Sequence, residues 1–269
     1  MPSFYRDNLT FHYTDSGVGF PFIFQHGLGG DVKQTAEVYQ PQPGIRMLSL
    51  DCRGHGETRP LGDAARLNFD SFADDVIGMM DHLNIPRAVV GGISMGAGIS
   101  LNIALRHPLR VRGLVLSRPA WLDQPMPDNL LNFVKVAESI RRYGAAEGLQ
   151  QFKQSEAYQA AVKEAPDVAN SLLTHFTHPR AEETYIKLER LPNDAPCRDL
   201  AACASITVPT LILGNRHDPP HPYAMAETLA SVIPSATLHE IPSKSVNREQ
   251  HFQDARAYMM EFLSQFGPV

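Results

Sequence analysis

The sequence predicts an α/β fold, a largely parallel sheet flanked by helices and interrupted in the middle of the chain by a helical insertion. Three observations carry this expectation. Short apolar runs alternate with segments of helical periodicity, the pattern left by successive βα units. One apolar run passes through Gly92-Ile93-Ser94-Met95-Gly96 straight into a helical segment. Roughly from Leu122 to Ser205, strand-type runs stop altogether.

Phe20 to Gln25 and Ile45 to Leu50 read as strands, each a short run of apolar residues. Between Phe69 and Leu83, the residues Phe69, Phe72, Val76, Met79, Met80 and Leu83 keep helical spacing, with Asp70, Asp74, Asp75 and Asp81 on the other side. Ala88 to Ile93 is a short buried strand. The helix after it runs from Ser94 to about His107, where Pro108 stops it. Val111 to Leu116 makes another strand. The next stretch is rich in Ala, Glu, Gln, Leu and Lys and reads as several helices joined at Pro166, Pro179 and Pro192. It is expected to form a cap, residues 122-205, set over a core of residues 1-121 and 206-269. Two late strands, Val208 to Leu213 and Ala236 to Ile241, are each followed by a helical pattern. The last helix shows Phe252, Ala255, Met259 and Phe262 on one face. No internal repeat or low-complexity tract interrupts the pattern.

A chain of 269 residues with 43% hydrophobic and 20% charged residues can bury a sizeable core and is not of disordered type. Its formal net charge of -5 gives no electrostatic reason to expect nucleic acid or an anionic membrane as partner. No run approaches the ~20 apolar residues that span a bilayer. The start lacks a basic stretch followed by an apolar run, so a cytoplasmic protein is expected. The three cysteines, Cys52, Cys197 and Cys203, are expected to be reduced thiols. Their spacing matches no zinc site, and neither a metal nor a cofactor is expected. The sequence is compatible with a homodimer.

In the Gly-x-Ser-x-Gly segment, context matters more than letters. A sharp strand-to-helix turn crowds the backbone at the central residue, and glycines two positions to either side relieve it. Ser94 then stands above the carboxyl edge of the sheet, where open α/β sheets bind ligands. The Met95 N–H at the helix start is suited to a developing oxyanion. A second glycine-rich loop, His26-Gly27-Leu28-Gly29-Gly30, also follows a strand, and Leu28 is the candidate second donor. Asp51-Cys52-Arg53-Gly54-His55-Gly56 follows the next strand.

H-G-x-G-G, then D-x-R-G-H-G, then G-x-S-x-G, in this order and spacing, resemble the α/β-hydrolase superfamily. Leu213-Gly214-Asn215-Arg216-His217-Asp218-Pro219 resembles that family's acid-bearing segment. The resemblance spans nearly the whole chain outside the helical middle. It implies an eight-stranded, mostly parallel sheet with a cap after the sixth strand, and a serine–aspartate–histidine triad in that chain order. It also makes His26, Gly27 and Trp121 candidate substrate-binding residues. Asp51, Arg53 and His55 are read as structural, with Asp51 and Arg53 placed to pair.

A serine hydroxyl needs a histidine to activate it, and the histidine needs an orienting carboxylate. Asp218, just past the strand ending at Leu213, is the candidate acid, with Asp123 as the alternative. The base is harder to assign. Much of the family carries a Gly-His pair soon after the last strand. Here that stretch reads Ile241-Pro242-Ser243-Lys244-Ser245-Val246. His251 is the next histidine and the expected base, in a first helical turn capped by Asn247 and Gln250. His239 is expected to be packed within the preceding strand. His217 and His221 lie so close to Asp218 in sequence that the acid is not expected to orient them. His175 and His178 belong to the cap.

The expected function is serine hydrolysis of a carboxylic ester, lactone or related carbonyl bond in a small molecule, through an acyl-enzyme. Carbon–carbon bond hydrolysis uses the same triad and stays open. So does a hydrolase-fold receptor with little turnover.

Overall fold

The computed structural model describes residues 2–267. Its sheet has eight strands: β1 (Ser3–Arg6), β2 (Leu9–Gly17), β3 (Gly19–Gln25), β4 (Gly44–Leu50), β5 (Ala88–Ile93), β6 (Val111–Ser117), β7 (Thr210–Gly214) and β8 (Ala236–Glu240). They are ordered β1-β2-β4-β3-β5-β6-β7-β8. β2 pairs antiparallel with β1 and β4, and every later pairing is parallel. The six expected strands appear within two residues of their predicted ends. β1 and β2 had no apolar run to announce them, because both expose much of their length.

Side-chain alternation along the strands builds two cores. Phe20, Phe22, Phe24, Val89, Val115, Leu211 and Leu213 join one core with residues of α1 (Val32–Val38) and of the C-terminal helix Lys244–Ser264. The alternate set, including Ile23, Val90, Leu114, Leu116 and Ile212, packs with α2 (Phe69–His82), α3 (Met95–Arg106) and the helix Tyr223–Val232. Between β6 and β7 the chain forms α4 (Leu131–Gln154), α5 (Glu156–Glu164), α6 (Pro166–Thr177), α7 (Ala181–Thr184) and α8 (Lys187–Arg190), with no strand. Pro166 opens α6, where its missing N–H costs nothing. The helix after β7 is α9 (Tyr223–Val232), and the C-terminal one is α10.

Two local expectations change. Asp75, placed by helical spacing on the outer side of α2, is 1% exposed. It takes both Nε and Nη2 of the equally buried Arg53, at 2.6 and 2.7 Å. Arg53 therefore pairs with Asp75 and Asp7, not with Asp51. Asp51 instead accepts from the backbone of Val32 and Glu57 and lies 2.6 Å from His12 Nδ1. A buried guanidinium needs its carboxylate inside with it, and that need overrides the helical pattern.

Candidate active site

Parallel register brings the loop residues together. Ile93 pairs with Ser117, and Ser117 with Leu213, so the chain leaves β5, β6 and β7 at one level. Ser94 N–H donates to Ser117 O (2.9 Å), and Arg118 N–H to Leu213 O (2.7 Å). Ser94 sits at φ 56°, ψ −112°, between β5 and α3. That conformation is strained for a residue with a side chain. The turn is only possible with glycine on both sides. A Cβ on Gly92 would strike the Gly96 backbone, and one on Gly96 would strike the carbonyls of Gln25 and His26.

Ser94 lines a cavity of about 250 Å³, together with Gly27, Leu28, Arg118, His175, Asp218 and His221. The oxyanion loop is held by its own backbone and one side chain. Gly27 N–H donates to Gln34 Oε1 (2.7 Å), and Gly30 N–H to Gly27 O (3.0 Å). Leu28 O lies 3.0 Å from His55 Nε2, which fixes that peptide. Among the described residues the N–H groups of Leu28 and Met95 have no acceptor. Two free donors at the start of a helix and on a fixed glycine loop can bind an oxyanion.

Asp218 faces the same cavity, and its partner is His221, at 2.9 Å between Oδ1 and Nδ1. The expectation that these two residues lie too close in sequence to cooperate is not met. Asp218-Pro219-Pro220-His221 is a turn closed by His221 N–H to Asp218 O (2.8 Å), which folds the imidazole back over the carboxylate. Their side chains are only 7% and 11% exposed. Arg118 Nη1 is 3.2 Å from the other carboxylate oxygen. Burial alone would raise the Asp218 carboxyl, but His221 and Arg118 outweigh it and hold the group well below the usual carboxylate range. Burial lowers His221 from the ordinary histidine value, with Asp218 opposing. Among the described residues, His221 Nε2 has no hydrogen-bond partner.

His251, the expected base, is not brought to this pair. It lies in α10 as predicted, in a turn where Asn247 Oδ1 accepts from Gln250 N–H at 3.0 Å. However, its Nδ1 lies 2.8 Å from Pro242 O, and the residue is 3% exposed and absent from the cavity wall. Burial, and then Arg118, lower it to about 3. Lys244 occupies the cavity wall where α10 begins, and burial with Arg118 and Arg248 lowers its ammonium to about 7. Two of the three candidate substrate-binding residues are also core residues. His26 is fully buried, with Nδ1 2.8 Å from Gly27 O and Nε2 accepting from Cys52 N–H. Trp121 donates to Leu191 O and stands edge-on to Phe69. Gly27 does line the cavity. Asp123 accepts from Leu200 N–H, away from the cavity. His239 stacks on Tyr258 with centroids 4.0 Å apart, in the edge strand. No cluster of three or more metal-ligating side chains occurs among the described residues. Nor is any described helix long and apolar enough to cross a membrane.

Sequence reasoning missed Arg118, His175 and Lys244. Arg118 carried a positional signal, since it follows β6 directly at the carboxyl edge.

An eight-stranded, mostly parallel sheet with a strained serine above its carboxyl edge defines the α/β-hydrolase class. Residues 21–244 match the profile of the family described as alpha/beta hydrolase fold, and the chain belongs to that family. It is similar to 2-hydroxymuconate semialdehyde hydrolase of Pseudomonas sp. (strain CF600), with 30% identity over 84% of this chain and 80% of that protein. Among solved structures it resembles the enol-lactonase of Burkholderia xenovorans LB400, with TM-score 0.73, 24% identity, and 98% and 100% of the two chains covered. It also resembles a meta-cleavage product hydrolase of Pseudomonas fluorescens IP01, with TM-score 0.74, 23% identity, and coverage of 99% and 98%. The chain is thus an α/β-fold hydrolase with 2-hydroxymuconate semialdehyde hydrolase among its relatives.

Proposed function

We infer that the protein is a serine hydrolase of small-molecule carbonyl compounds, with Ser94 as nucleophile and His221, oriented by Asp218, as base. The observation that carries this reading is the Asp218–His221 bond in the cavity that also holds the strained Ser94. Ser94 Oγ attacks the substrate carbonyl as its proton passes to His221 Nε2. The resulting oxyanion takes the N–H groups of Leu28 and Met95. The leaving group departs with the proton from His221. Water, deprotonated by the same imidazole, then releases the acid from Ser94. Arg118 keeps Asp218 ionised, so the carboxylate stabilises the imidazolium at each step. The helices between β6 and β7 serve as a cap that shapes the substrate cavity.

Esters and lactones are the first substrate class under this reading. The similarity to 2-hydroxymuconate semialdehyde hydrolase favours a second, carbon–carbon bond hydrolysis. There the leaving group is a carbon, and His221 must protonate it as the bond breaks. A panel of p-nitrophenyl esters, lactones and diketones separates the two. A fluorophosphonate probe should label Ser94, and Ser94→Ala should lower kcat by on the order of 10⁴-fold or more. Labelling elsewhere, or full activity in that variant, overturns the assignment. Binding of panel members with a single burst and no turnover would point to an acyl trap instead.

A further inference from the structure

The Ser94 cavity has a neighbour of about 400 Å³, between the oxyanion loop and the helices after β6. Gly29, Gln34, Thr174 and His175 line both, so the two cavities meet along this seam. Lys187 and His178 line the second one and not the first. His175, on α6, is the most unusual group at the seam. The residue is 8% exposed. Its ring lies against the oxyanion loop, where a Cβ on Gly29 would come within 3.0 Å of Cε1. The edge of Phe133 covers it, at 5.5 Å between centroids. No protein group among the described residues hydrogen-bonds either ring nitrogen. Neither nitrogen is among the sealed, unpartnered polar atoms, so the surface each retains faces the cavities.

A largely buried imidazole with no protein partner, whose nitrogens keep surface on the cavity side, is free to hydrogen-bond a molecule that enters. We propose, taking the Ser94 cavity as the substrate site, that His175 is the recognition residue of the helical insertion. Its imidazole hydrogen-bonds an oxygen of the substrate where the substrate crosses from the Ser94 cavity into the second one. Substrates of this enzyme therefore carry a second oxygen function, a carbonyl or a carboxylate, a few atoms from the carbonyl that reacts. Burial, with Lys187 and His178 close by, lowers His175 to about 3, so it meets the ligand as a neutral ring able to donate from one nitrogen. Lys187 supports the anionic version of the same contact. It is buried, and among the described residues its one hydrogen-bond partner is Gly54 O and no carboxylate lies within ion-pair distance.

The test reads binding and needs no turnover. The probes are 2-heptanone against 2,5-hexanedione, 2,6-heptanedione and 2,7-octanedione, with levulinate as the carboxylate arm. They are titrated by NMR into wild type and Ser94→Ala, following the histidine ring signals. At least one two-oxygen probe should bind about tenfold more tightly than the monoketone, equivalent to about 1.4 kcal/mol. The His175 ring signals should shift with it. In His175→Leu the ratio should fall to near one, and in His175→Gln part of it should survive. His175→Leu should also melt no lower than wild type, because it loses no protein hydrogen bond and keeps an apolar group against Phe133. A histidine kept only for packing would lose stability on that change. Equal binding of all probes in wild type, an unmoved His175 signal, or a preference that persists in His175→Leu overturns the proposal. Fluorophosphonate labelling of Ser94 is scored separately. Labelling without a two-oxygen preference removes the role of His175 alone, whereas a preference without labelling removes only the nucleophile.

Discussion

Replacing His221 with alanine separates the base from every other histidine of the chain. Two losses follow from its surroundings. A positioned general base contributes about 10²–10⁴ to rate, so kcat/KM should fall by that factor, or about 2.7–5.4 kcal/mol of barrier. The substitution also removes a 2.9 Å hydrogen bond to a buried, ionised carboxylate. Bonds of that kind are worth about 1.5–3 kcal/mol. In a domain of this size such a loss lowers Tm by on the order of 5 °C. His221→Gln keeps a donor toward Asp218 but no base, so it should recover most of the stability and none of the turnover. The assay is kcat/KM for p-nitrophenyl acetate, beside a thermal melt of each variant. Turnover requires neutral His221. Because burial holds the group below the ordinary histidine value of about 6.5, wild-type activity should persist into mildly acidic solution and fall only below that value. His251→Ala should lower stability through its lost contact with Pro242 O and change kcat/KM only a few-fold. If His251→Ala loses two decades while His221→Ala keeps most of its activity, the acid–base assignment is refuted.

Gly92→Ala should yield little folded protein or none with Ser94 labelling, because its Cβ meets the backbone of Gly96. Labelling yield per folded molecule checks this. Arg53→Ala strands Asp75 in the core and should cost about 3–5 kcal/mol in urea unfolding, with Asp75→Ala costing less because Arg53 keeps Asp7. Melts from pH 8 to 4 should show stability falling as pH drops below about 6.5. The folded values of His175 and His251 are lowered to about 3, so the unfolded chain binds the extra protons first. Each such histidine costs about 1.4 kcal/mol per pH unit across that window. His175→Leu should flatten the slope.

Most of the sheet was legible because parallel strands buried on both faces read as unbroken apolar runs, as at Ala88–Ile93. The nucleophile turn was legible for a different reason. Gly92 and Gly96 are needed at fixed offsets from Ser94, and steric need of that kind is written in the letters. Asp75 was not legible, since its burial depends on Arg53, which is remote in sequence. The partner of Asp218 was hidden in turn geometry. His221 and His251 both follow Asp218 in sequence, and only the Pro219-Pro220 turn brings one ring onto the carboxylate. Arg118 was open to prediction from its place just after β6, whereas His175 meets the cavity through α6, whose placement over the sheet no spacing encodes.

The turn from Asp218 to His221 makes the assembly of acid and base a local event in the chain. Loop closure costs about (3/2)RT ln n, so a partner roughly tenfold further along the sequence would carry about 2 kcal/mol more ordering entropy. Pro219 and Pro220 narrow the unfolded ensemble of the same segment further. Opening of β8 and α10, an edge strand and a terminal helix, therefore leaves the two groups joined. Partial unfolding of β8 and α10 would detach Lys244 from the cavity wall while the Asp218–His221 pair stayed beside β7.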